Sequence, residues 1–276
     1  MLKFNLVEPG YFTPTVAVEK HISYPSVGNE DCYLLEENSQ WFQARNKLLE
    51  TVFINHPFSG DFVDIGAGNG YQLSFFQKGI FNRLGIKSGM CEPGIVGCTN
   101  AANRGVENVY CCLFDELPVE EFNIGAIGLF DVIEHIEDDV SFLIDISKRV
   151  PEGTNIYITV PALKSLWSSE DENAGHFRRY NTNDVQRILD NTNLRLIYSS
   201  YFFSYYVPFV WLLRVLPERI GRKYTKDLLT SKEKDYHNRS KKLNVLLNFL
   251  HWIEMKLSRI GIKPFFGTSR LMLFST

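Results

Sequence analysis

The chain has no long apolar run, few cysteines and no surplus of one charge. Its 276 residues hold 29 Lys and Arg against 32 Asp and Glu, for a net charge of −3 and a pI near 6.1. That balance speaks against bulk nucleic-acid binding, so no nucleic acid is expected as a partner. The longest aromatic and apolar stretch, residues 201–216, contains Pro208 and Arg214 and is too short for a bilayer core of ~30 Å. The opening MLKFNLVEPGYF lacks the basic-then-apolar pattern of a secretion signal. The five cysteines, Cys32, Cys91, Cys98, Cys111 and Cys112, are odd in number and show no metal-ligand spacing. Reduced thiols in a cytoplasmic protein follow, with no metal site assigned. Internal repeats and low-complexity tracts are missing too. A composition of 45% hydrophobic and 22% charged residues excludes a disordered, collagen-like or disulfide-stapled chain.

What remains is a pattern of short apolar strands alternating with helices. Residues 1–35 hold Pro9, Pro14 and Pro25 and read as irregular. Helical periodicity starts near Glu36 and runs to Ile54, with Leu34, Leu35, Trp41, Phe42, Ala44, Leu48, Leu49 and Val52 as candidate buried positions. Strands are expected at 61–65, 84–91, 108–112, 125–130 and 155–160, and helices at 70–78, 94–103, 138–148 and 182–190. Further strands fit 194–203 and 269–274. Strand–helix–strand spacing of this kind implies right-handed crossovers and a mostly parallel sheet. Ligands bind at the carboxyl ends of such strands.

Residues 201–268 interrupt this core before the last strand. The insertion begins aromatic and apolar. Its middle, 222–242, holds eight basic and three acidic residues, net +5. It ends with Leu243, Leu246, Leu247, Leu250, Ile253, Leu257 and Ile260 at helical spacing. A lid or homodimer arm burying its apolar face is the plainer reading. Peripheral membrane contact through 201–260, serving a lipid-linked acceptor, is the sharper one.

Three local signals carry chemistry. The first is Val63-Asp64-Ile65-Gly66-Ala67-Gly68-Asn69-Gly70, a strand running into a glycine turn and then a helix. Glycines let backbone N–H groups approach a ligand closely. The dinucleotide fingerprint Gly-x-Gly-x-x-Gly is not met, because the third glycine comes one residue early. The second is Glu92, directly after a strand and before Pro93-Gly94, where a carboxylate can accept two hydrogen bonds from a ribose diol. The third is Asp131-Val132-Ile133-Glu134-His135, following the apolar run that ends at Phe130.

Taken in order, VDIGAGNG, Glu92, ANRGVENV, ELP at 116–118, LFDVIEH and ITVPA resemble the class I S-adenosylmethionine-dependent methyltransferases, in the branch of the ubiquinone-biosynthesis O-methyltransferases. The resemblance implies an α/β, Rossmann-like, doubly wound and mostly parallel seven-stranded sheet with helices on both faces and an inserted helical cap. It covers residues 36–200 and the final strand, 269–276. It implies S-adenosyl-L-methionine as cofactor and a small-molecule or lipid-linked acceptor, methylated at oxygen. Asp64, Gly66 and Gly68 are then expected around the methionine part, with Ala67, Gly70 and Pro93 completing the set. Glu92 takes the ribose, and Cys112, Leu113 and Phe114 line the adenine. Asp131 lies near the amino or sulfonium end, and Trp41 and Arg45 sit on the helix covering the cofactor. The acidic residue that relatives often place on the adenine loop is replaced by Cys112-Leu113, with Asp115 further on.

Methyl transfer to a hydroxyl needs a base. His135 is the first candidate, because an unperturbed imidazole titrates near neutrality. His176, within Gly175-His176-Phe177-Arg178-Arg179-Tyr180, is the second. Pairing of Arg178 and Arg179 with Glu170, Asp171 and Glu172 is the bland role for that loop. Asp131-x-x-Glu134-His135 is also similar to the Glu-x-x-Glu-His of metal-dependent relatives, with aspartate in first place. Two other functions compete. One is a nicotinamide-dependent oxidoreductase using the same glycine turn; the other is a non-catalytic peripheral membrane module.

Overall fold

A computed structural model describes residues 4–8, 10–14, 32, 33, 35–37, 39–221, 241–259 and 262–276. At its centre are strands β3 (Asp61–Ile65), β4 (Ser88–Cys91), β5 (Val109–Tyr110), β6 (Ile124–Phe130) and β7 (Asn155–Pro161). Each is parallel to its neighbours among these five, in the order β5-β4-β3-β6-β7. Two antiparallel strands extend the β7 edge: β9 (Ser269–Ser275), then β8 (Arg195–Phe202).

The sheet has nine strands rather than the seven expected. The segment read as irregular supplies the other two, β1 (Phe4–Glu8) and β2 (Tyr11–Pro14), which form a hairpin through Gly10. β2 lies parallel to β5, where Val109 N–H donates to Gly10 O and Cys111 N–H to Phe12 O. Proline does not obstruct it, because Pro14 sits at the strand's end.

Side chains alternate across the strands, and both faces are covered. Phe62, Tyr157, Leu271 and Leu273 point to one face, packed under α1 (Gln40–Asn55) and α2, which begins as Tyr71–Phe76 and continues through a π turn to Leu84. Val63, Ile65, Ile156, Ile158, Met272 and Phe274 point to the other, under α4 (Asp139–Arg149) and α6 (Thr182–Asn191). α3 (Ile95–Asn103) joins the first cluster through Cys98 and Ala101. Phe53 of α1 centres an aromatic knot, meeting Tyr157 edge-on at 4.7 Å and Phe76 at 5.0 Å. Contacts of this geometry add ~0.5–1.5 kcal/mol each beyond area burial.

The described part of the insertion holds two helices. α7 starts at Val207–Val210, passes through a π turn at Trp211–Val215 and ends at Leu216–Arg219; α8 is Lys241–Arg259. The cationic residues 222–240, together with Leu34 and Ile260, lie outside the described residues. The leucine stripe of α8 is not the buried face expected of it. Leu247 is buried, whereas Leu246 and Leu257 are exposed. Among the described residues, no helix is long and apolar enough to cross a membrane.

Candidate active site

The carboxyl ends of β3, β4, β6 and β7 open onto a cavity of about 690 Å³, roofed by α1, α7 and α8. Its cofactor-like end is built largely from backbone. Gly66 and Gly68 both have positive φ, a conformation that glycine adopts at no steric cost. Gly68 N–H donates to Glu92 Oε2 at 3.0 Å, and Gly94 N–H donates to Glu92 Oε1 at 2.7 Å. The Glu92 carboxylate is therefore fixed at the tip of β4 with lone pairs left over. A second glycine makes this possible from behind. A Cβ on Gly97 would come within 2.7 Å of Gly68 O, so only glycine lets α3 approach the turn.

Asp64, Gly66, Ala67, Gly68, Glu92, Pro93, Cys112, Leu113 and Phe114 all line the cavity. Gly70 is not among the lining residues. Its Cβ would lie 2.6 Å from Ala101 Cβ, so it is glycine in order to seat α2 against α3. Asp115 is not part of the wall either. The lining of the adenine-side loop is accordingly sulfur and hydrocarbon.

Asp64 is buried, and its Oδ1 has no hydrogen-bond partner among the described residues. Burial drives its pKa up to about 8; Arg45 opposes the rise and Glu92 adds to it. Arg45, from α1, forms an ion pair with Asp131 and donates to Gln72 Oε1 at 2.8 Å, under the ring of Trp41. Asp131 holds a positive φ of 59° and accepts from Thr159 Oγ1 at 3.1 Å. A non-glycine residue in that region is strained, and such strain gathers at functional sites.

Behind the turn lies a network that sequence reasoning missed. Arg104 Nη1 donates to Glu36 Oε2 at 2.5 Å and to Asn69 O at 2.9 Å, and its Nη2 donates to Tyr33 O at 2.8 Å. It ties the segment before α1 to the glycine turn. The signal was available in the pair Glu36 and Arg104, but 68 positions separate them.

The other end is made of side chains. Glu134, His135 and His176 meet there, with ligand-capable atoms within 4.8 Å of one another. Glu134 is fully buried, and neither carboxylate oxygen has a partner among the described residues. Burial, reinforced by Asp131, holds its pKa well above the usual carboxylate range. The three groups could share one divalent cation. His135 is pushed down to about 4, mainly by burial and then by His176. That leaves it neutral and a weak base.

His176 has a different setting. Its Nδ1 lies 2.9 Å from Oδ1 of the buried Asp171, in α5 (Ser169–Ala174), and its ring meets that of His135 edge-on at 4.8 Å. Burial works against ionising Asp171, yet His176 and Arg179 together bring its pKa below the ordinary value. An ionised carboxylate can only accept, so Nδ1 is the donor of this pair, and in the neutral ring the lone pair then lies on Nε2. Arg179 Nε donates to the same oxygen at 2.8 Å, whereas Arg178 pairs with Asp139. In the cavity wall Arg214 of α7 pairs with Glu170.

No protein-family model matches this sequence, and no curated protein is significantly similar to it. Solved structures are. A methyltransferase from Thermotoga maritima, described as a possible histamine N-methyltransferase, aligns at TM-score 0.53 and 14% identity over 90% of this chain and 95% of its own. The plantazolicin methyltransferase BamL, solved with a substrate analogue and S-adenosylhomocysteine, aligns at 0.52 and 12%, covering 92% of each chain. The fold is that of an S-adenosylmethionine-dependent methyltransferase. Phosphoethanolamine N-methyltransferase 2 of Haemonchus contortus, solved with S-adenosyl-L-methionine, aligns at 0.52 and 16% over 96% of this chain and 61% of its own. At these identities the likeness is one of fold. The neighbours act on different acceptors, and none marks out the ubiquinone branch.

Proposed function

We propose that the protein is an S-adenosylmethionine-dependent methyltransferase acting on a hydroxyl. The observation that carries this reading is Glu92, gripped by the N–H groups of Gly68 and Gly94 at the mouth of the cavity. The residues present fit the cofactor. Glu92 offers acceptors to a ribose diol, Cys112, Leu113 and Phe114 offer an apolar slot to a purine, and the orphaned Asp64 Oδ1 offers an acceptor to an ammonium group. When bound, the sulfonium supplies the electrophilic methyl group, which is the hard part of the chemistry. The chain's residues hold, orient and exclude water, and positioning of this kind is worth up to ~7–11 kcal/mol.

His176 takes the hydroxyl proton on Nε2, and Asp171 holds the ring in the tautomer that leaves this atom free. His135, neutral, and Glu134, whose burial disfavours the charged carboxylate, shape the polar end of the acceptor site. The outer wall is apolar where Tyr206, Val210 and Leu247 enter from the cap, which suits a hydrophobic acceptor, lipid-linked or small.

Thermal melting with S-adenosylhomocysteine and with NAD tests the reading. Stabilisation by S-adenosylhomocysteine alone is expected. Stabilisation by NAD alone would reassign the chain to an oxidoreductase, and a response to neither would make it a non-catalytic module.

A further inference from the structure

Charge is divided unevenly along this chain. Residues 201–268 hold thirteen Lys and Arg against five Asp and Glu, whereas the rest of the chain holds sixteen against twenty-seven. Residues 201–268 thus sum to +8 in sequence and the rest of the chain to −11.

The two faces of α8 have different jobs. On the inner face Leu247 lines the cavity, and Glu254 accepts from Phe203 N–H, Ser204 N–H and Ser204 Oγ, just ahead of α7. Those bonds fix how the helix is rotated. On the outer face Val245, Phe249 and Trp252 follow one another at helical spacing and are 68%, 55% and 55% exposed. Phe249 and Trp252 stack with centroids 6.1 Å apart, and Lys256 places its Nζ 5.7 Å from the Trp252 ring centre. α7 repeats the arrangement: Val210 and Arg214 line the cavity, while Leu212 and Leu213 are each 53% exposed.

We propose that the outer faces of α7 and α8 dock on an anionic lipid surface. An exposed apolar stripe with aromatics, beside Lys256 and in a segment of net +8 in sequence, is the composition of a helix lying in the headgroup region. Nucleic acid would use the cations but has nothing to place against Val245, Phe249, Leu212 and Leu213. A second copy meeting this face by two-fold symmetry would bring Lys256 toward Lys256 and pair two segments that are each net +8 in sequence. Delivery of a lipid-linked acceptor through the same cap rests on the methyltransferase reading; the docking does not.

Co-sedimentation of the full chain with vesicles is the test. Vesicles of phosphatidylcholine mixed with phosphatidylglycerol should bind it at least about a hundredfold more tightly than phosphatidylcholine alone, and 0.5 M salt should weaken the binding. Phe249→Ser with Trp252→Ser should lower the partition about tenfold or more, and Lys256→Ala about fivefold. S-adenosylhomocysteine binding should be the same in the variants, which shows that they fold. Equal binding to both vesicle types, no binding, or an undiminished double variant would overturn the proposal. So would a wild-type dimer in solution that Phe249→Ser/Trp252→Ser converts to monomer without any vesicle binding. If the wild type binds anionic vesicles but not S-adenosylhomocysteine, the enzymatic reading falls and the docking stands.

Discussion

The two ends of the cavity are made by different means. At the end proposed for the cofactor, the backbone N–H groups of Gly68 and Gly94 both hold the one carboxylate of Glu92, just past β4, while Asp64 lies on the adjacent parallel strand β3. At the end proposed for the acceptor the groups are side chains of Glu134, His135, Asp171 and His176, brought in by the turn after β6, by α5 and by the loop that follows it. A backbone cradle accepts one ligand shape and tolerates little change. A wall of side chains can be rebuilt residue by residue without disturbing the sheet. Such a division lets one fold keep a cofactor while its acceptors differ, as they do among the three solved neighbours.

If the ends are separable, acceptor-side variants should cost turnover and spare cofactor binding. The largest effect is expected for His176→Ala. Loss of a positioned base slows proton transfer by about 10²–10⁴-fold, so the rate with a hydroxyl acceptor should fall by that order while S-adenosylhomocysteine affinity holds. Asp171→Asn should lose part of the same rate, since it weakens the hold on Nδ1. Rates unaltered in both would return the base to His135 or to water. On the other side, Gly68→Val puts a β-branched side chain at φ 52°, where the left-handed backbone alone costs about 1–2 kcal/mol, and fills the approach to the ligand. Calorimetry should find cofactor affinity lowered by about a hundredfold or more. An unchanged affinity would mean the turn is only structural.

Glu92→Ala is the next test in size. A charge-assisted hydrogen-bond acceptor contributes about 1.5–3 kcal/mol, so affinity for S-adenosylhomocysteine should drop roughly 10- to 150-fold. The variant also frees the N–H groups of Gly68 and Gly94, which makes the upper part of that range the better expectation. A drop of less than threefold would place the ribose elsewhere.

Legibility in the sequence followed the same division. Strand 61–65 and the glycine turn after it could be read because their signals are local: an apolar run, then residues that tolerate positive φ. Glu92 could be read because it directly follows a strand. The hairpin of β1 and β2 could not, because each strand is short and is stabilised by pairing with Val109 and Tyr110, about a hundred residues away. Arg104 with Glu36, and Glu134 with His176, are likewise pairs that only the folded chain brings together. The packing role of Gly70 was hidden for a related reason. A glycine needed for helix packing and one needed for ligand approach look alike until the neighbouring Ala101 is seen. The leucine spacing of α8 gave its helical state but not its solvent-facing side, because the outer stripe is also apolar.

The smallest expected effect sharpens the cofactor end further. Burial raises the Asp64 pKa from the ordinary 3.8 to about 8, so the ligand-free protein holds a proton there at pH 7 that the unfolded chain releases. Between about 4 and 8 the folded state therefore binds more protons than the unfolded one, and the stability of the empty protein should fall as pH rises through that window. A cationic amine needs the ionised carboxylate, so binding must expel the proton. Affinity for S-adenosylhomocysteine should rise about tenfold from pH 6 to pH 7, where the amine itself stays protonated. Calorimetry in buffers of different ionisation enthalpy should register close to one proton released near pH 7. Asp64→Asn should flatten both the affinity profile and the proton release. A pH-independent wild type would mean that Asp64 is ionised in the empty site, or that the amine sits against Asp131 instead.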